Sequence, residues 1–514
     1  MKRGTWVALG AMAMSVFVVA NDLTALSVAL PQIEADLNSD VSTIQWVVSA
    51  YALVFGVLIV TGGRLADMLG RRRIFFIGAA IFAGFSVLGG AAPGDIWLIV
   101  CRALMGVGGA MMWPAVLGMT YDILPADRAA LAGGIIIGSA GFGNAAGPLL
   151  GGVLTDVLSW RWILFVNLPI AALACLVTWR SVRESKGAGA DEGVDVPGVA
   201  TLSVGLVSLL LALDQVTEWG WSDPRILALF AGFVLLMIAF GFVERRAGAR
   251  ALVPREVMGN PAFRAACLTT LFMSAVFFVV ILFLPQFMQK ILGYTPLEAG
   301  AGLLPLMGVF AVTSFGAGPL YERLGAKATV SLGAALVGLG MFLISLVDRD
   351  SGWASLVPGM VVTGVGIGLF YSSITTAAVT AVDPSRSSLA GGIVYMFQIA
   401  GGSVGLGLTT TVFTTASQDR LQRGAANLSE EEIEEVQGAL AGTESAAEIV
   451  ARQGKAAGDQ LVELIREAFV SGLNWSFRLV ALLAVTGLAV AVLSVGGRLL
   501  GRGSETAPEP APPS

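Results

Sequence analysis

Two charged residues, Asp22 and Arg102, lie inside long apolar stretches of the chain. A charge near the centre of a bilayer is costly, so such residues mark functional sites. Asp22 lies eight residues before the outer end of the first apolar stretch and Arg102 six residues after the outer start of the fourth, roughly 9–12 Å below the outer boundary. Equal depth predicts one shared cavity, in which Asp22 carries protons and its protonation depends on the approach of Arg102. A fixed ion pair that orients two helices is the alternative interpretation.

The chain contains no histidine in its 514 residues. Because imidazole is the commonest group for proton transfer near neutral pH, any proton relay must use carboxylates. The same absence argues against a Ser-His-Asp hydrolase or a zinc enzyme. Cys101, Cys175 and Cys267 show no metal-ligand spacing, so we interpret them as helix-packing residues. We predict that the protein is not an enzyme and has no catalytic or metal-binding residue.

The composition is that of a membrane protein. Hydrophobic residues make up 55% of the chain and charged residues 13%, against roughly 25% charged in soluble proteins. Apolar runs of about 20 residues, enough to span a bilayer, recur along almost the whole length. The sequence predicts an all-α integral membrane protein with fourteen transmembrane helices, near 6–30, 43–62, 74–92, 96–119, 131–155, 161–180, 196–214, 224–243, 265–289, 299–318, 327–347, 353–376, 388–412 and 472–497.

Three pairs of segments indicate an internal duplication. The basic loop 63–73 resembles 318–327 at an offset of 255 positions, 31–32 returns as 285–286, and 128–135 returns as 386–393. Tandem membrane halves of this kind are typical of transporters that rock about a central site. Six spans with short loops leave about 75 residues of the offset, which fits two more helices.

This repeat predicts the division of the chain. We expect an N-terminal six-helix half over 1–185, a linker with two additional transmembrane helices over 186–260, a C-terminal six-helix half over 261–500 and a disordered tail over 501–514. A long outer loop is expected over 413–471. There, Ser429 starts a capping box, and an apolar face predicts a helix resting on the membrane. That face consists of Leu461, Leu464, Ile465 and Ala468.

Basic residues predict the orientation. With the N-terminus inside, twenty Lys and Arg residues fall on inner segments, and only four fall on short outer loops. Basic residues stay on the cytoplasmic side, so both termini are predicted to be cytoplasmic in a multi-pass protein of the cytoplasmic (inner) membrane. The apolar run after Lys2-Arg3 continues to Pro31 without a convincing cleavage site, so we interpret it as a first helix rather than a signal peptide.

The basic loop after the second helix is a candidate gate. Asp67 is spaced to pair with the arginines that follow it, and Glu322 occupies the equivalent position of the second copy. We predict a cytoplasmic latch between transport states; the alternative is a positive-inside anchor, since a lone exposed ion pair is weak. The residues assigned to this gating loop are Gly63, Asp67, Gly70, Arg71, Arg72 and Glu322.

The fifth predicted helix carries a glycine stripe. Gly143, Gly147 and Gly151 recur every four residues, Gly152 follows, and Pro148 predicts a bend. Small residues let another helix approach closely, so this face is a candidate hinge or seal between conformations.

Polar residues within the predicted spans are candidates for contact with a ligand in the cavity. Interhelical hydrogen bonding is an equal alternative for each of them. These residues are Asn21, Asn144, Gln286, Gln289, Tyr371 and Gln398.

Taken together, these segments resemble the fourteen-helix drug:proton antiporter family of the major facilitator superfamily over nearly the whole chain. The loop 63–72 is similar to the superfamily motif between helices 2 and 3, with Met68 where arginine is common. The segment 21–31 resembles the helix 1 motif, with Asp22 in the acidic position. The segment 98–110 resembles the helix 4 motif, with Arg102 in the position implicated in proton transfer and Met105 in place of the usual glutamine.

Two further motifs carry the resemblance. The segment 138–152 resembles the helix 5 antiporter motif, which is typical of exporters and uncommon in importers, and 160–169 matches the start of helix 6 in the same branch. The resemblance implies a major facilitator fold and export of hydrophobic or amphipathic compounds, such as drugs and antibiotics, in exchange for protons.

The expected partners follow from that resemblance. They are a small lipophilic or amphipathic substrate, protons and membrane lipids, with no nucleic acid, and the chain is expected to act as a monomer. No cofactor is expected, because the proton gradient drives transport. Three alternatives stay open: an exporter or flippase of a lipid or cell-envelope precursor, a proton-coupled importer, and a membrane sensor that does not transport.

Overall fold

The computed structural model describes residues 3–187, 195–348, 350–424 and 455–496. Within these ranges the chain forms sixteen α-helices and no strand. The helices are α1 (Arg3–Leu37), α2 (Val41–Leu69), α3 (Arg71–Gly90), α4 (Asp95–Ile123), α5 (Ala129–Val157), α6 (Arg161–Phe165), α7 (Asn167–Ser181), α8 (Val196–Trp219), α9 (Pro224–Ala247), α10 (Arg255–Gly259), α11 (Pro261–Lys290), α12 (Pro296–Gly302), α13 (Leu304–Ile344), α14 (Trp353–Thr380), α15 (Ser387–Gly424) and α16 (Lys455–Ser494).

The predicted membrane helices are confirmed. Among the described residues, thirteen stretches are long and apolar enough to cross a membrane, and α6 with α7 forms one of them. The 41-residue helix α13 accounts for two predicted spans, because it breaks at Gly325, whose φ is 83°. A positive φ favours glycine, which lacks a Cβ. Within the described residues the fold is therefore an all-α bundle with fourteen segments that are apolar and long enough to cross a membrane.

The duplication is visible in the backbone. Gly70 ends α2 with a φ of 114° and is the equivalent of Gly325 at the offset of 255. Both copies of the repeated loop thus use a left-handed glycine to turn the chain between two spans.

The helices of the two copies pack in matching pairs. Helix α1 packs against α5 and α7, as α11 packs against α15 and α16. Helix α2 packs against α4, and α13 packs against α14.

Contacts between the two copies follow the same symmetry. A Cβ added to Gly134 on α5 would lie 2.8 Å from the carbonyl oxygen of Ser314 on α13. A Cβ added to Gly392 on α15 would lie 2.7 Å from the carbonyl oxygen of Ile59 on α2. Because a glycine has no side chain, the backbone of a helix in the other copy can pack directly against each of these two positions.

Helices α8 and α9 follow the first copy in sequence and pack on each other. Helix α8 also packs against α2 and α15, so it lies along the seam between the two copies. Ile226 is the one buried residue of α9, and Leu235 and Phe242 are exposed on it. This apolar surface suits contact with lipid.

The segment 413–471, expected to be an outer loop, is helical at both of its described ends. Helix α15 continues to Gly424 and α16 begins at Lys455, because polar sequence can extend a helix beyond its apolar span. Leu421 of α15 packs with the predicted apolar face of α16, namely Leu461, Leu464, Ile465 and Ala468. That face therefore covers the neighbouring helix, and the interpretation that it rests on the membrane is wrong. Ser429 and the tail 501–514 lie outside the described residues.

Candidate transport site

We call the side that carries the turn between α2 and α3 the inner face, and the opposite side the outer face. Asp22 on α1 and Arg102 on α4 form an ion pair, and neither side chain is exposed. The structure thus brings together the two residues that the sequence placed at equal depth. Burying two charges is tolerated where they pair and further contacts hold them; among the described residues, Arg102 Nη2 is left without a hydrogen-bond partner.

Three further helices complete this buried site. Asn167 on α7 donates from Nδ2 to Asp22 Oδ1 over 2.8 Å and to Ser86 Oγ on α3 over 3.1 Å. Arg102 donates from Nε to the carbonyl oxygen of Val47 on α2 over 2.8 Å. The Arg102 guanidinium also lies 4.3 Å from the centre of the Tyr51 ring, a cation–π contact. The carboxylate and the guanidinium are therefore oriented by groups on five helices.

Sequence reasoning did not assign a role to Asn167, Ser86 or Tyr51. Asn167 belongs to the helix 6 motif and lies in the apolar stretch 161–180, where an amide needs hydrogen-bond partners, so its position in that stretch was the signal available. Which partners it selects depends on the rotation of α3 and α7, and residue spacing does not report that rotation.

Two cavities lie between the two copies near the outer face. The amide cavity, of about 320 Å³, is bounded by α1, α5, α11 and α13 and includes Asn144, Gln286 and Gln289. The α8 cavity, of about 330 Å³, is bounded mainly by α2, α8, α11 and α15 and includes Asp214 of α8. Both volumes fall at the lower end of the range of small-molecule pockets, roughly 300–1,000 Å³.

The structure divides the six polar residues predicted for a substrate cavity. Asn144, Gln286 and Gln289 line the amide cavity. Asn21, Tyr371 and Gln398 line neither of the two cavities. The Tyr371 hydroxyl instead lies 3.2 Å from Ser274 Oγ on α11 within hydrogen-bonding distance. Tyr371 thus makes the hydrogen bond between helices that was its alternative interpretation, and its contact with a ligand stays a prediction.

The buried ion pair is directly connected to the walls of both cavities. Leu23, which follows Asp22, lines the α8 cavity, and Thr24 lines the amide cavity. Trp46 and Val48 line the α8 cavity and flank Val47, whose carbonyl oxygen is bonded to Arg102. The cavity walls and the ion pair therefore share the same segments of α1 and α2.

The gating loop forms a contact between the two copies at the inner face. Asp67 Oδ2 accepts a hydrogen bond from the backbone N–H of Leu389, in the first turn of α15, over 2.9 Å. Arg71 pairs with Asp67 Oδ1 over 3.0 Å and donates to the carbonyl oxygen of Pro384 over 2.9 Å. Arg71 also pairs with Asp122 of α4 over 2.5 Å. We call Asp67, Arg71, Pro384 and Leu389 the inner latch.

The turn that leads into α15 is capped by Asp383. Hydrogen bonds from the hydroxyl and the backbone N–H of Ser385 lower the pKa of the Asp383 carboxyl from its usual value. The carboxylate therefore stays ionised at neutral pH and stabilises the turn that presents Pro384 to Arg71.

Other residues of the gating loop have different partners. Gly70 forms the turn, and a Cβ on Gly63 would lie 2.6 Å from the Ser388 carbonyl oxygen. Arg72 does not pair with Asp67; its Nη1 donates to the carbonyl oxygen of Val182 over 3.1 Å.

Glu322 does not repeat the role of Asp67. Its side chain is exposed on α13, and no hydrogen bond or ion pair joins it to another residue in the described part of the chain. The expectation that Glu322 belongs to the latch is therefore wrong for this conformation. Equivalent positions in a repeat need not share contacts, because the second copy lacks an arginine equivalent to Arg71 and has Ala326 there.

The glycine stripe of α5 faces α1. Added Cβ atoms at Gly143, Gly147 and Gly151 would lie 2.7 Å, 2.0 Å and 2.2 Å from atoms of Phe17, Thr24 and Ala25, in that order. Gly152 faces Leu297 of α12, and Pro148 lines the amide cavity. The stripe therefore permits close packing within the first copy, and Gly152 lies at a contact between copies.

A duplicated bundle of membrane helices, with a buried ion pair beside cavities between its halves and a latch across them, defines a membrane transporter. The chain belongs to the Major Facilitator Superfamily, whose family model matches residues 12–406.

Similar proteins include antibiotic resistance and export proteins. The chain is 35% identical over 419 residues to the puromycin resistance protein of Streptomyces alboniger. This match covers 80% of this chain and 82% of that protein. It is 29% identical over 514 residues to the tetracenomycin C resistance and export protein of Streptomyces glaucescens, and this match covers 98% of this chain and 94% of that protein.

Solved structures share the fold. The human organic anion transporter MFSD10 (TETRAN) matches with a TM-score of 0.62 at 12% identity, over 95% of this chain and 100% of that chain. The proton:xylose symporter XylE matches with a TM-score of 0.60 at 12% identity, over 96% of each chain. At these identities the likeness establishes the architecture alone.

Proposed function

We propose that this protein is a proton-coupled antiporter that exports lipophilic or amphipathic small molecules across the cytoplasmic membrane, with both termini in the cytoplasm. The observation that carries the proposal is the buried Asp22–Arg102 pair, whose neighbours in sequence line both cavities. The names of the relatives, which describe antibiotic resistance and export, support export as the direction of transport.

In this proposal Asp22 carries the proton. Protonation removes the charge that pairs with Arg102, and Arg102 also holds α2 through the carbonyl oxygen of Val47. Losing the pair leaves a buried guanidinium without its counter-charge, which is unfavourable and favours a different helix arrangement. The arrangement of the helices and the protonation of Asp22 therefore control each other.

Export requires the proton and the substrate to disfavour each other's binding, a reciprocal coupling between two sites. The cavity walls supply a route for this coupling, because Leu23 and Thr24 follow Asp22 directly. A substrate that displaces α1 or α2 changes the distance between Asp22 and Arg102. Each proton that moves inward contributes about 2.3 kcal/mol per 100 mV of membrane potential.

The described conformation fits one stage of such a cycle. The inner latch is closed, and the two cavities lie near the outer face. We assign this conformation to the stage after substrate release, when a proton enters from the outside. In the proposal the chain works as a monomer in lipid and needs no cofactor or nucleic acid.

Proton movement in everted membrane vesicles tests this function. A pH-sensitive dye reports flux when lipophilic antibiotics, cationic dyes or lipids are added to wild type, Asp22→Asn and Asp156→Asn. Asp156 is an exposed carboxylate at the outer end of α5 and serves as the matched control. We expect substrate-dependent proton movement in wild type and Asp156→Asn, and none in Asp22→Asn. Full proton movement in Asp22→Asn would contradict the proposal, and a response to lipids alone would favour a lipid exporter.

A further inference from the structure

A short segment at the end of the first copy lies against the inner latch. We call residues 182–187, which follow α7, the inner strap. The Arg71 N–H donates to the Ser185 carbonyl oxygen of the strap over 2.9 Å. The Gly187 N–H of the strap donates to the Asp67 carbonyl oxygen over 2.7 Å. These two hydrogen bonds hold the backbone of both charged residues of the latch.

A side chain of the inner strap caps α3. The N-cap of α3 is Gly70, which makes no side-chain hydrogen bond to the helix. Glu184 supplies the missing acceptors, because its Oε1 accepts from the N–H of Arg72 and its Oε2 from the N–H of Arg73, each over 3.0 Å. The N–H groups of a first turn have no partner within their helix, and negative charge is favoured beside them. A carboxylate from the far end of the first copy thus fixes the start of α3.

The inner strap also contacts the second copy. A Cβ added to Gly187 would lie 1.8 Å from the carbonyl oxygen of Ser385, in the turn that leads into α15. The strap and that turn line one cavity of about 510 Å³, together with Arg71 and Asp122. The strap, the charged residues of the latch and the second copy therefore meet at one place on the inner face.

The turn between α2 and α3 needs such support from outside. Gly70 forms the turn with a φ of 114°, and glycine populates many backbone conformations, so the turn does not fix its own geometry. The carboxylate of Asp67 meets the N–H of Leu389 in one arrangement of this turn. Contacts that hold the turn therefore favour the closed state of the latch.

We propose that Glu184 is a positioning residue of the inner latch, which holds the α2–α3 turn so that Asp67 and Arg71 meet the second copy when the inner face is closed. This role rests on the proposed transport cycle and gives the segment that follows the first six spans a part in it. Glu184 acts through the latch and touches no substrate cavity. The effect of removing its carboxylate must therefore depend on an intact Asp67.

A double-mutant cycle tests that dependence. The variants are Glu184→Ala, Asp67→Asn and the combination of both, each in the full-length protein in lipid nanodiscs. The distance between spin labels at Asp127 and Arg264, exposed residues at the inner ends of the first and second copies, reports opening. Glu322→Ala, which removes an exposed carboxylate at the inner end of α13, is the matched control.

We expect Glu184→Ala to raise the ratio of inner-open to inner-closed protein about tenfold, because two hydrogen bonds to a charged acceptor are lost. With Asp67→Asn already present, the same substitution should change the ratio by less than about twofold. Glu322→Ala should match wild type. An unchanged ratio in Glu184→Ala, or a full tenfold effect in the presence of Asp67→Asn, would overturn the role of Glu184 in the latch.

A second variant covers the case in which Glu184→Ala does not fold. Gly187→Ala keeps Glu184 and puts a methyl group against the Ser385 carbonyl oxygen, so it should also raise the inner-open ratio. Gly259→Ala, whose added Cβ meets no atom within 4 Å, is its control. Wild-type distances in Gly187→Ala would contradict the contact between the strap and the second copy. Substrate-driven proton movement that is lost in Asp22→Asn would support the export function even if Glu184 has no role in the latch.

Discussion

Asp67 and Leu389 lie 322 residues apart in sequence and are joined by a hydrogen bond of 2.9 Å from the Leu389 backbone N–H to the Asp67 carboxylate. The N–H groups of the first turn of a helix have no partner within the helix, and the helix dipole favours negative charge there. The carboxylate of one copy thus binds the start of α15 in the other. Opening at the inner face requires this contact to break.

Asp67→Asn should therefore shift the equilibrium toward conformations that are open at the inner face. The substitution removes the charge from the contact with Leu389 and from the pair with Arg71, a loss of roughly 1–3 kcal/mol. Distances between spin labels on the inner ends of α3 and α14 measure the shift. Glu322→Gln, at the equivalent but exposed position, should leave the distances unchanged. Equal distances in wild type and Asp67→Asn would contradict a latch.

Gly134 and Gly392, which lie at matching contacts between the two copies, should also control closure at the inner face. Gly134→Ala and Gly392→Ala each place a methyl group within 3 Å of a backbone oxygen of the opposite copy. Because backbone cannot move aside as a side chain can, closure should be disfavoured by roughly 1–3 kcal/mol. The initial rate of export should fall by about tenfold at matched protein levels. Gly316→Ala, whose added Cβ meets no atom within 4 Å, is the control and should export normally.

Adjacent glycines of α5 should tolerate alanine differently. At Gly151 the methyl group would lie 2.2 Å from the carbonyl oxygen of Ala25, whereas at Gly152 it would lie 2.8 Å from the Leu297 side chain, which can rotate. We expect Gly151→Ala to lower the melting temperature and export strongly, and Gly152→Ala to change both little. Normal transport by Gly151→Ala would refute the close α1–α5 contact.

Gly147→Leu should impair turnover more than membrane insertion, since its added bulk meets Thr24.

Asn167 should support proton coupling because it holds the Asp22 carboxylate. Its Nδ2 donates to Asp22 Oδ1 over 2.8 Å, so Asn167→Leu should reduce uphill export strongly and exchange of substrate at equal pH little. Ser86→Ala should have a smaller effect in the same direction, because Ser86 contacts Asn167 rather than Asp22. If Asn167 serves only in packing, Asn167→Leu should lower uphill export and exchange equally.

The sequence predicts the parts of this molecule that depend on depth and periodicity. Hydropathy locates the fourteen spans, and the helical rise places Asp22 and Arg102 at one level. Two buried charges at the same level of a bilayer are expected to pair. At the offset of 255, Gly70 and Gly325 occupy equivalent positions, and both have a positive φ.

Contacts that depend on helix rotation or on the approach of the two copies could not be predicted. The partner of Asp67 is a backbone N–H of α15, and Asp122, which pairs with Arg71, carries no motif that indicates it. The contact of Asp214 with the α8 cavity depends on where α8 docks, and the apolar pattern of α8 does not specify that position. Glu322 shows the opposite case, since its sequence equivalence to Asp67 predicts a contact that the structure lacks.

The central claim, that Asp22 carries the proton that drives export, is tested most directly in proteoliposomes by comparing two modes of transport. Uphill accumulation of substrate under an imposed pH gradient requires a proton carrier, whereas exchange of labelled for unlabelled substrate at equal pH requires only a cavity that moves between the two sides. We predict that Asp22→Asn loses uphill accumulation and retains exchange, while wild type and Asp156→Asn perform both. Uphill accumulation by Asp22→Asn at the wild-type level would contradict the account.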